Sequence, residues 1–230
     1  TLLRAMAQRI EDSGGSIYLD SRVEEVLVEE GHCRGVRVGA DVTAFDAVIS
    51  TIPLPYVPAM IPGLPAKYLA AYEAVDNIAV VCVLAKLKRS VTPYFWLNIN
   101  DSDIAMPGII EYSQLNPLPD TLVYLPFYLP FEHPDYQQSD DWFIERSKKY
   151  IQQVNPELTD DEILLMRAGR YRYAQVICPP GFLENLPPVQ PGVTNLWVAD
   201  TSYYYPEDRS ISESIALGQR LAAELSAKNL

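Results

Sequence analysis

A polar cluster in the last part of the sequence has residue types that could bind an anionic ligand. Asp200 follows the apolar run 196–199, which is typical of a fully buried strand. Ser210 then opens a helix, since its hydroxyl can accept from the Glu213 N–H and Glu213 can reach back, as in a capping box. A carboxylate after a strand can bind hydroxyl groups, and free N–H groups at a helix start can bind negative charge. The pattern predicts either an anionic-cofactor site or an ordinary strand–helix unit.

Three consecutive tyrosines lie between that carboxylate and the helix. Tyr203, Tyr204 and Tyr205 could border a bound cofactor and hold a substrate. The alternative is a tyrosine-rich loop that packs at a domain junction. Both interpretations remain open at the level of sequence.

The middle of the chain offers further substrate contacts. Aromatic side chains on its predicted strands could line an apolar pocket or could simply be core: Tyr94, Trp96, Tyr112, Tyr124 and Phe127. Arg170 and Arg172 alternate with tyrosines on one strand, so they could pair with a substrate carboxylate. A solvated edge strand is the alternative interpretation of that segment.

Composition excludes several other classes of function. The net charge of −12 argues against binding to nucleic acid or to anionic lipid. No apolar run approaches the length of a membrane span, and no signal peptide is visible. The three cysteines and two histidines are too scattered for a disulfide framework or a zinc site. We therefore predict no metal, reduced thiols and a cytoplasmic location, and no catalytic residue is assigned.

The elements that must position these residues fall into two groups, which predict an α/β fold. Residues 1–55 are predicted to form a helix ended by Gly14 and Gly15, a short strand at 16–19, a β-meander with glycine turns, and a buried strand. A proline-rich stretch follows, and the middle is rich in strands. We predict that 1–55 and 190–230 form one domain and that 56–189 form an inserted domain with a mixed, mainly antiparallel sheet.

Two packing predictions follow from the apolar patterns. Residues 48–50 and 196–199 are predicted to be neighbouring buried strands of one parallel sheet, because both are short and apolar. The last helix is predicted to bury one stripe at steps of four and three: Ile211, Ile215, Gly218, Ala222 and Leu225.

Three stretches of the chain resemble the flavin-dependent amine oxidase superfamily, which includes protoporphyrinogen oxidases and phytoene-desaturase-like enzymes. The stretches cover the first quarter and the last sixth of the chain and occur in the same order as in the family. They are Ile10 with residues 14–19 and then Val23 and Val26, residues 48–53, and residues 197–201 with the helix that ends at 218–222. The resemblance implies that the paired ends form part of an FAD-binding, Rossmann-like domain. The middle domain would then bind substrate.

The resemblance also implies roles for single residues. The Val23 position would give backbone hydrogen bonds to the adenine of FAD, Asp200 would hold the ribityl or pyrophosphate part, and the helix start near Ile211 would point N–H groups at the flavin. The implied cofactor-binding set is Val23, Thr51, Asp200, Ser210, Ile211 and Ser212. Ala199 and Glu213 depart from the family pattern, since each stands where the family has glycine.

The phosphate-binding motif G-x-G-x-x-G does not occur in the 230 residues. We therefore predict that the chain is the carboxyl-terminal portion of an FAD-dependent oxidoreductase, that an N-terminal dinucleotide-binding segment of the same protein is missing, and that the fragment is inactive and lacks FAD. The parent would act on an amine-bearing or apolar small molecule. The alternatives are a non-redox FAD enzyme of the sugar-mutase kind and a non-catalytic binding module.

Overall fold

The computed structural model describes residues 1–227 and divides the chain into two compact units. The discontinuous unit contains Thr1–Val75 together with the residues from Gly181 onward. The continuous unit is Asp76–Pro180. The chain is therefore a mixed α/β protein with several sheets, as predicted.

The helices and strands of residues 1–227 have the following bounds. The α-helices are α1 (Leu2–Asp12), α2 (Val57–Met60), α3 (Ala66–Glu73), α4 (Tyr112–Leu115), α5 (Asp140–Val154), α6 (Phe182–Asn185) and α7 (Ile211–Ser226). The strands are β1 (Glu25–Glu29), β2 (His32–Val38), β3 (Asp41–Ala44), β4 (Val48–Ser50), β5 (Asn77–Leu87), β6 (Trp96–Asn98), β7 (Gly108–Glu111), β8 (Thr121–Leu129), β9 (Ile163–Val176) and β10 (Leu196–Val198). No helix within these residues is long and apolar enough to cross a membrane.

The predicted β-meander is present in the discontinuous unit. Strands β1, β2 and β3 form an antiparallel sheet in that order. Gly31 and Gly39 occupy the turns with φ of +73° and +58°, a conformation that glycine adopts without steric cost. The glycine positions therefore predict this sheet correctly.

The parallel pairing of β4 with β10 is also confirmed. Leu196 lies opposite Val48, and Val198 lies opposite Ser50. All of β10 is buried, but Ile49 of β4 is 38% exposed, so the prediction that both strands are buried is wrong for β4. The reason is that β10 has a second neighbour, since Val198 N–H donates to the Val189 carbonyl at 2.8 Å, whereas no strand within residues 1–227 pairs with the other edge of β4.

Strand β10 lies between two hydrophobic clusters of the discontinuous unit. Leu196 and Val198 pack into the larger cluster, which also contains Leu54 and Tyr72. On its other face, Trp197 and Ala199 pack into a smaller cluster with residues of α7. Burial on both faces explains why this strand is an uninterrupted apolar run rather than an alternating one.

The prediction of a strand at residues 16–19 is wrong. These residues have no regular secondary structure, and Tyr18 and Leu19 are 79% and 81% exposed. A strand needs a partner for its backbone N–H and C=O groups, and no strand of the described chain lies beside this segment. Helix α1, which precedes it, buries none of its residues.

Helix α7 packs through a different face from the predicted one. Leu217 and Leu221 are its buried residues, whereas Ile211 and Ile215 are 68% and 42% exposed, and Gly218 has open space beside it. The buried face contacts β10, and the Trp197 Nε1–H donates to the Glu224 carboxylate at 3.1 Å. The helix has two apolar faces, and its periodicity alone could not determine which one packs.

The continuous unit is a five-stranded antiparallel sheet in the order β6-β7-β8-β5-β9 with α5 packed on one face. Ser139 caps α5, because its hydroxyl accepts from the Trp142 N–H at 3.2 Å. The core between sheet and helix includes Val81, Leu125, Phe127, Phe143 and Ile151.

A buried carboxylate organises the loop after β5. Strand β7 ends at Glu111, and α4 follows it. The Glu111 side chain is fully buried and accepts from the N–H groups of Val91 and Thr92 at 2.9 and 3.0 Å. It also accepts from the Ser90 hydroxyl and the Gln114 amide at 2.6 and 2.9 Å. The carboxylate thus replaces the water that these donors would otherwise bind.

We expect the substitution Glu111→Gln to lower the free energy of unfolding by roughly 1.5–3 kcal/mol, because charged acceptors form stronger hydrogen bonds than neutral ones. Urea unfolding measures this change. The matched control is Glu145→Gln on the exposed side of α5, which should stay within about 0.5 kcal/mol of wild type. Equal unfolding midpoints for the two variants would show that Glu111 does not hold the loop.

Candidate functional site

Asp200 lies where the carboxyl ends of β4 and β10 meet. Its Oδ2 accepts from the Leu54 N–H at 2.9 Å, and its Oδ1 accepts from the Ser202 N–H at 2.8 Å. Because the two strands are parallel, the segments that follow them leave the sheet at the same edge. The Asp200 carboxylate therefore links these two segments, a contact between residues far apart in the sequence.

Two other predicted cofactor residues belong to the same region. Thr51 directly follows β4 and is exposed. The Val23 side chain packs against the cluster that contains Leu54 and Val198. Neither the N–H nor the C=O of Val23 bonds to another residue within 1–227, so both groups are available to a ligand.

The start of α7 also presents unused backbone donors. The Ser210 hydroxyl accepts from the Glu213 N–H at 3.0 Å, while no bond from the Glu213 side chain back to Ser210 is present in the described chain, so half of the predicted capping box forms. The N–H groups of Ile211 and Ser212 lie in the first turn, where a helix supplies no acceptor. The Tyr204 hydroxyl donates to the Ser214 hydroxyl at 2.9 Å and joins the preceding loop to the helix.

The three consecutive tyrosines have different environments. Tyr203 is largely buried and donates its hydroxyl to the Pro187 carbonyl at 2.8 Å. Tyr72 is fully buried beside it in the same cluster; its hydroxyl lies near that of Tyr203 but forms no hydrogen bond of standard geometry. Burial raises the pKa of both phenols, so both stay protonated. Tyr205 is 44% exposed and packs its ring edge-on against Phe182, with ring centroids 5.6 Å apart.

These groups can bind and orient a ligand, but they contain no pair of side chains suited to proton transfer or nucleophilic attack. Burial raises the pKa of the Cys33 thiol, which keeps it in the weakly nucleophilic protonated form. No cluster of potential metal ligands occurs in the part of the chain that the structure describes. Chemistry at this site would have to come from a bound group.

The continuous unit presents a second candidate surface. The face of its sheet opposite α5, here called the open face, is partly exposed. Its side chains alternate with those of the core, and the register aligns one residue from each strand in a single row: Trp96, Ile110, Tyr124, Leu84 and Arg167.

The predicted substrate residues of this unit are divided between the two faces. Tyr112 and Tyr124 meet edge-to-face with ring centroids 6.4 Å apart, beside the open face. The Arg172 guanidinium instead stacks on Phe131, 3.8 Å from the ring centroid, on the side of α5. Phe127 is a core residue and is 2% exposed, as the alternative interpretation of these aromatic residues proposed. Strand β9 is an edge strand, as the alternative interpretation of Arg170 and Arg172 proposed.

Sequence reasoning missed two residues of these surfaces. Leu54 supplies a backbone donor to Asp200, and no residue type signals such a contact. Arg167 lies directly opposite Leu84 on the open face. Alternation along β9 predicts that Arg167 and Arg172 point to opposite faces, but only the pairing with β5 shows which face is open.

Comparison with known proteins identifies the family. The family model described as flavin containing amine oxidoreductase matches residues 1–159. The chain belongs to this family. Membership confirms the resemblance, and the glycine pair and residues 48–53 lie within the matched range. A search of curated proteins finds no match.

Several solved structures share the fold of this family member. Putrescine oxidase with bound putrescine is 15% identical over 96% of this chain and 51% of its own, with a TM-score of 0.69. Cyclohexylamine oxidase from Brevibacterium oxydans is 12% identical over 85% of this chain and 46% of its own, with a TM-score of 0.65. Reduced UDP-galactopyranose mutase is 11% identical over 79% of this chain and 41% of its own, with a TM-score of 0.59. The chain spans about half the length of the structures that it matches.

The neighbouring hydroxyl groups of Tyr203 and Tyr72 should differ in their effect on stability. We expect Tyr203→Phe to lower the free energy of unfolding by about 1 kcal/mol, because the Pro187 carbonyl loses its donor. Tyr72→Phe should stay within about 0.5 kcal/mol of wild type or stabilise the protein, because it removes a buried hydroxyl that forms no hydrogen bond of standard geometry. Urea unfolding of both variants measures the difference. A larger loss for Tyr72→Phe than for Tyr203→Phe would contradict these hydrogen-bond assignments.

Proposed function

We propose that this chain is part of an FAD-dependent oxidoreductase that acts on an amine-bearing or apolar small molecule. The observation that carries the proposal is the family match over residues 1–159, which includes Val23 and Thr51. The continuous unit is proposed as the substrate-binding domain and the discontinuous unit as part of the cofactor domain. The cytoplasmic location stays a prediction.

The residues present fit an FAD molecule. Val23 has free backbone groups that an adenine could use, and the α7 N-terminus has free N–H groups at Ile211 and Ser212. Each Asp200 carboxylate oxygen accepts one backbone N–H and keeps a second lone pair for a ligand hydroxyl. The Ser50 hydroxyl is buried without a partner at the end of β4.

Flavin, when bound, supplies the acceptor for two electrons, so the protein needs to bind, orient and shield rather than to supply a catalytic triad. In this proposal Val23 binds the adenine through its backbone. Asp200 orients the ribityl or pyrophosphate part, together with Thr51 and Ser210. The first turn of α7 stabilises negative charge through its N–H groups.

A segment of the same protein outside the 230 residues is proposed to supply the dinucleotide-binding motif. Residues 1–227 leave apolar side chains of α1 exposed, as well as Ile49 at the free edge of β4 and Ile211 and Ile215 of α7. A parallel sheet is normally covered on both faces. These surfaces support the proposal that a further segment of the same protein packs against the discontinuous unit.

A second candidate function is a non-redox FAD enzyme of the sugar-mutase kind. The observation in its favour is the shared fold with UDP-galactopyranose mutase. A binding module without catalysis is the third possibility. A protein that binds FAD and reduces it with an amine or apolar substrate would support the oxidoreductase, and FAD binding without substrate-dependent reduction would support the mutase.

We expect the 230-residue chain alone to be colourless and not to be stabilised by FAD, because it contains no G-x-G-x-x-G motif. A ligand at a hundred times its Kd would stabilise the folded state by roughly 2.7 kcal/mol, which thermal unfolding detects easily. A clear rise in Tm on addition of FAD would contradict the proposal that the missing segment is needed.

For the full-length protein, we expect Asp200→Ala to weaken FAD binding roughly ten- to a hundred-fold, since a hydrogen bond to a charged group contributes about 1.5–3 kcal/mol. The stability of the apoprotein should also fall, because the N–H groups of Leu54 and Ser202 lose their acceptor. Titration of FAD into the apoproteins measures the affinity. Asp41→Ala, on the exposed strand β3, is the control for removal of one carboxylate. Equal FAD affinities for wild type and Asp200→Ala would leave Asp200 a purely structural residue.

A further inference from the structure

The open face of the continuous unit combines a long apolar row with a cationic side chain, Arg167, that has no ion-pair partner among residues 1–227. We infer that this face binds the planar, apolar part of a small-molecule substrate and that Arg167 binds an anionic group on it, a carboxylate or a phosphate. The inference rests on the proposed function, in that it assigns the continuous unit to substrate binding. The class of substrate for this unit would be a planar apolar molecule that carries an anionic group.

The spacing of the row suits a ligand of ring-system size. Tyr124, Leu84 and Arg167 lie on three adjacent strands and point to the same face. Neighbouring strands are about 4.8 Å apart, so the Tyr124 and Arg167 backbones are separated by about 10 Å. A fused aromatic ring lying over Leu84 would span this distance, with one end beside the tyrosine ring and the other beside the guanidinium.

The next row leaves room for such a ring. It contains Pro126, Cys82 and Gly169, which are paired across the same strands. Gly169 has no atom within 4 Å of the position where a side chain would begin. Burial raises the pKa of the Cys82 thiol, so the thiol stays uncharged. These three residues form an uncharged, shallow bed.

Exposed aromatic rings flank the bed. Trp96 is 53% exposed at one end of the row, and Tyr124 and Tyr128 on β8 are 37% and 38% exposed. Val80 separates Tyr128 from Tyr171, which is 47% exposed on β9. Apolar and aromatic linings with few polar groups are typical of small-molecule sites, and exposed aromatic side chains bury large areas on binding.

The charges of this face favour an anion over an amine. The Arg167 side chain is exposed and forms no ion pair or hydrogen bond with any residue in 1–227. Lys86, the other cation of the face, is already neutralised by Asp120 at 2.7 Å. The guanidinium of Arg170 lies on the opposite side of the sheet, where it binds Asp140 at 2.8 Å.

None of the residues of the two rows carries a carboxylate. An ammonium group placed on this face would therefore meet an unpaired guanidinium and no counter-ion from these rows. A carboxylate or phosphate would instead form a bidentate pair with Arg167, which is the geometry that arginine favours. The unpaired cation beside an apolar bed thus selects the sign of the ligand's charge.

Binding of three probes to the full-length protein, purified with FAD in the buffer, tests the inference. The probes are naphthalene-2-carboxylate, 2-naphthylmethylamine and uridine diphosphate, and calorimetric titration gives each Kd. We expect the naphthalene carboxylate to bind at least tenfold more tightly than the amine of the same shape. Tighter binding of uridine diphosphate than of the carboxylate would identify phosphate as the anion; the reverse order would identify carboxylate.

Four variants test the charge of Arg167 separately from the shape of the uncharged bed. Arg167→Gln should weaken binding of the anionic probes about tenfold and leave the amine unaffected. Arg167→Lys should keep part of the anion preference. Arg34→Gln removes an equal charge from an exposed position on β2, in the other unit, and should leave all three Kd values unchanged. Gly169→Leu fills the open bed and should weaken binding of both naphthalene probes.

Equal Kd values for the carboxylate and the amine, or equal effects of Arg167→Gln and Arg34→Gln, would overturn the inference and leave Arg167 a solvated surface residue. The flavin absorption spectrum is recorded for every variant. A colourless full-length protein that still prefers the anionic probes through Arg167 would refute the proposed FAD function and leave the binding surface intact. A yellow protein without that preference would support the proposed FAD function and refute the binding surface.

Discussion

Burial of β10 on both faces is the constraint on which the discontinuous unit depends. Its alternate side chains enter two hydrophobic clusters, one with Leu54 and Tyr72 and one with Leu217 and Leu221. Each apolar side chain buried in this way contributes about 1.5–3 kcal/mol. A strand held from both sides cannot shift its register without exposing one cluster. It therefore fixes where the polar segment that follows it begins.

That placement explains the dual character of Asp200. The carboxylate follows a buried strand that lies beside a second, parallel strand. It accepts from the N–H groups of Leu54 and Ser202, which have no partner in the hydrogen-bond pattern of the sheet. The same geometry leaves lone pairs at the edge of the sheet and free N–H groups at the start of α7. A structural cap and a ligand contact are compatible in one residue, because an ionised carboxylate accepts more bonds than the two that the protein makes.

In the continuous unit, alternate side chains of each strand lie on opposite faces of the sheet, so the residues that pack the core differ from those that could bind a ligand. Side chains of one parity fill the core against α5, and those of the other parity form the open face. Arginines on β9 illustrate the consequence. Arg170 and Arg172 are used within the protein, by Asp140 and by the Phe131 ring, whereas Arg167 is left unpaired among the described residues. One strand thus carries structural cations on one face and a candidate binding cation on the other.

The sequence by itself determined the local features: the meander from its glycine turns, the cap of α7 from Ser210, the apolar character of β10, and the family from motifs in order. The tertiary structure decided three matters. They are which apolar face of α7 is buried, whether residues 16–19 find a strand partner, and which face of β9 is open. Local patterns report only the conformation and polarity of a segment, whereas these three outcomes depend on neighbours distant in the chain. The Leu54–Asp200 bond has the same origin, since a backbone donor carries no sequence signal.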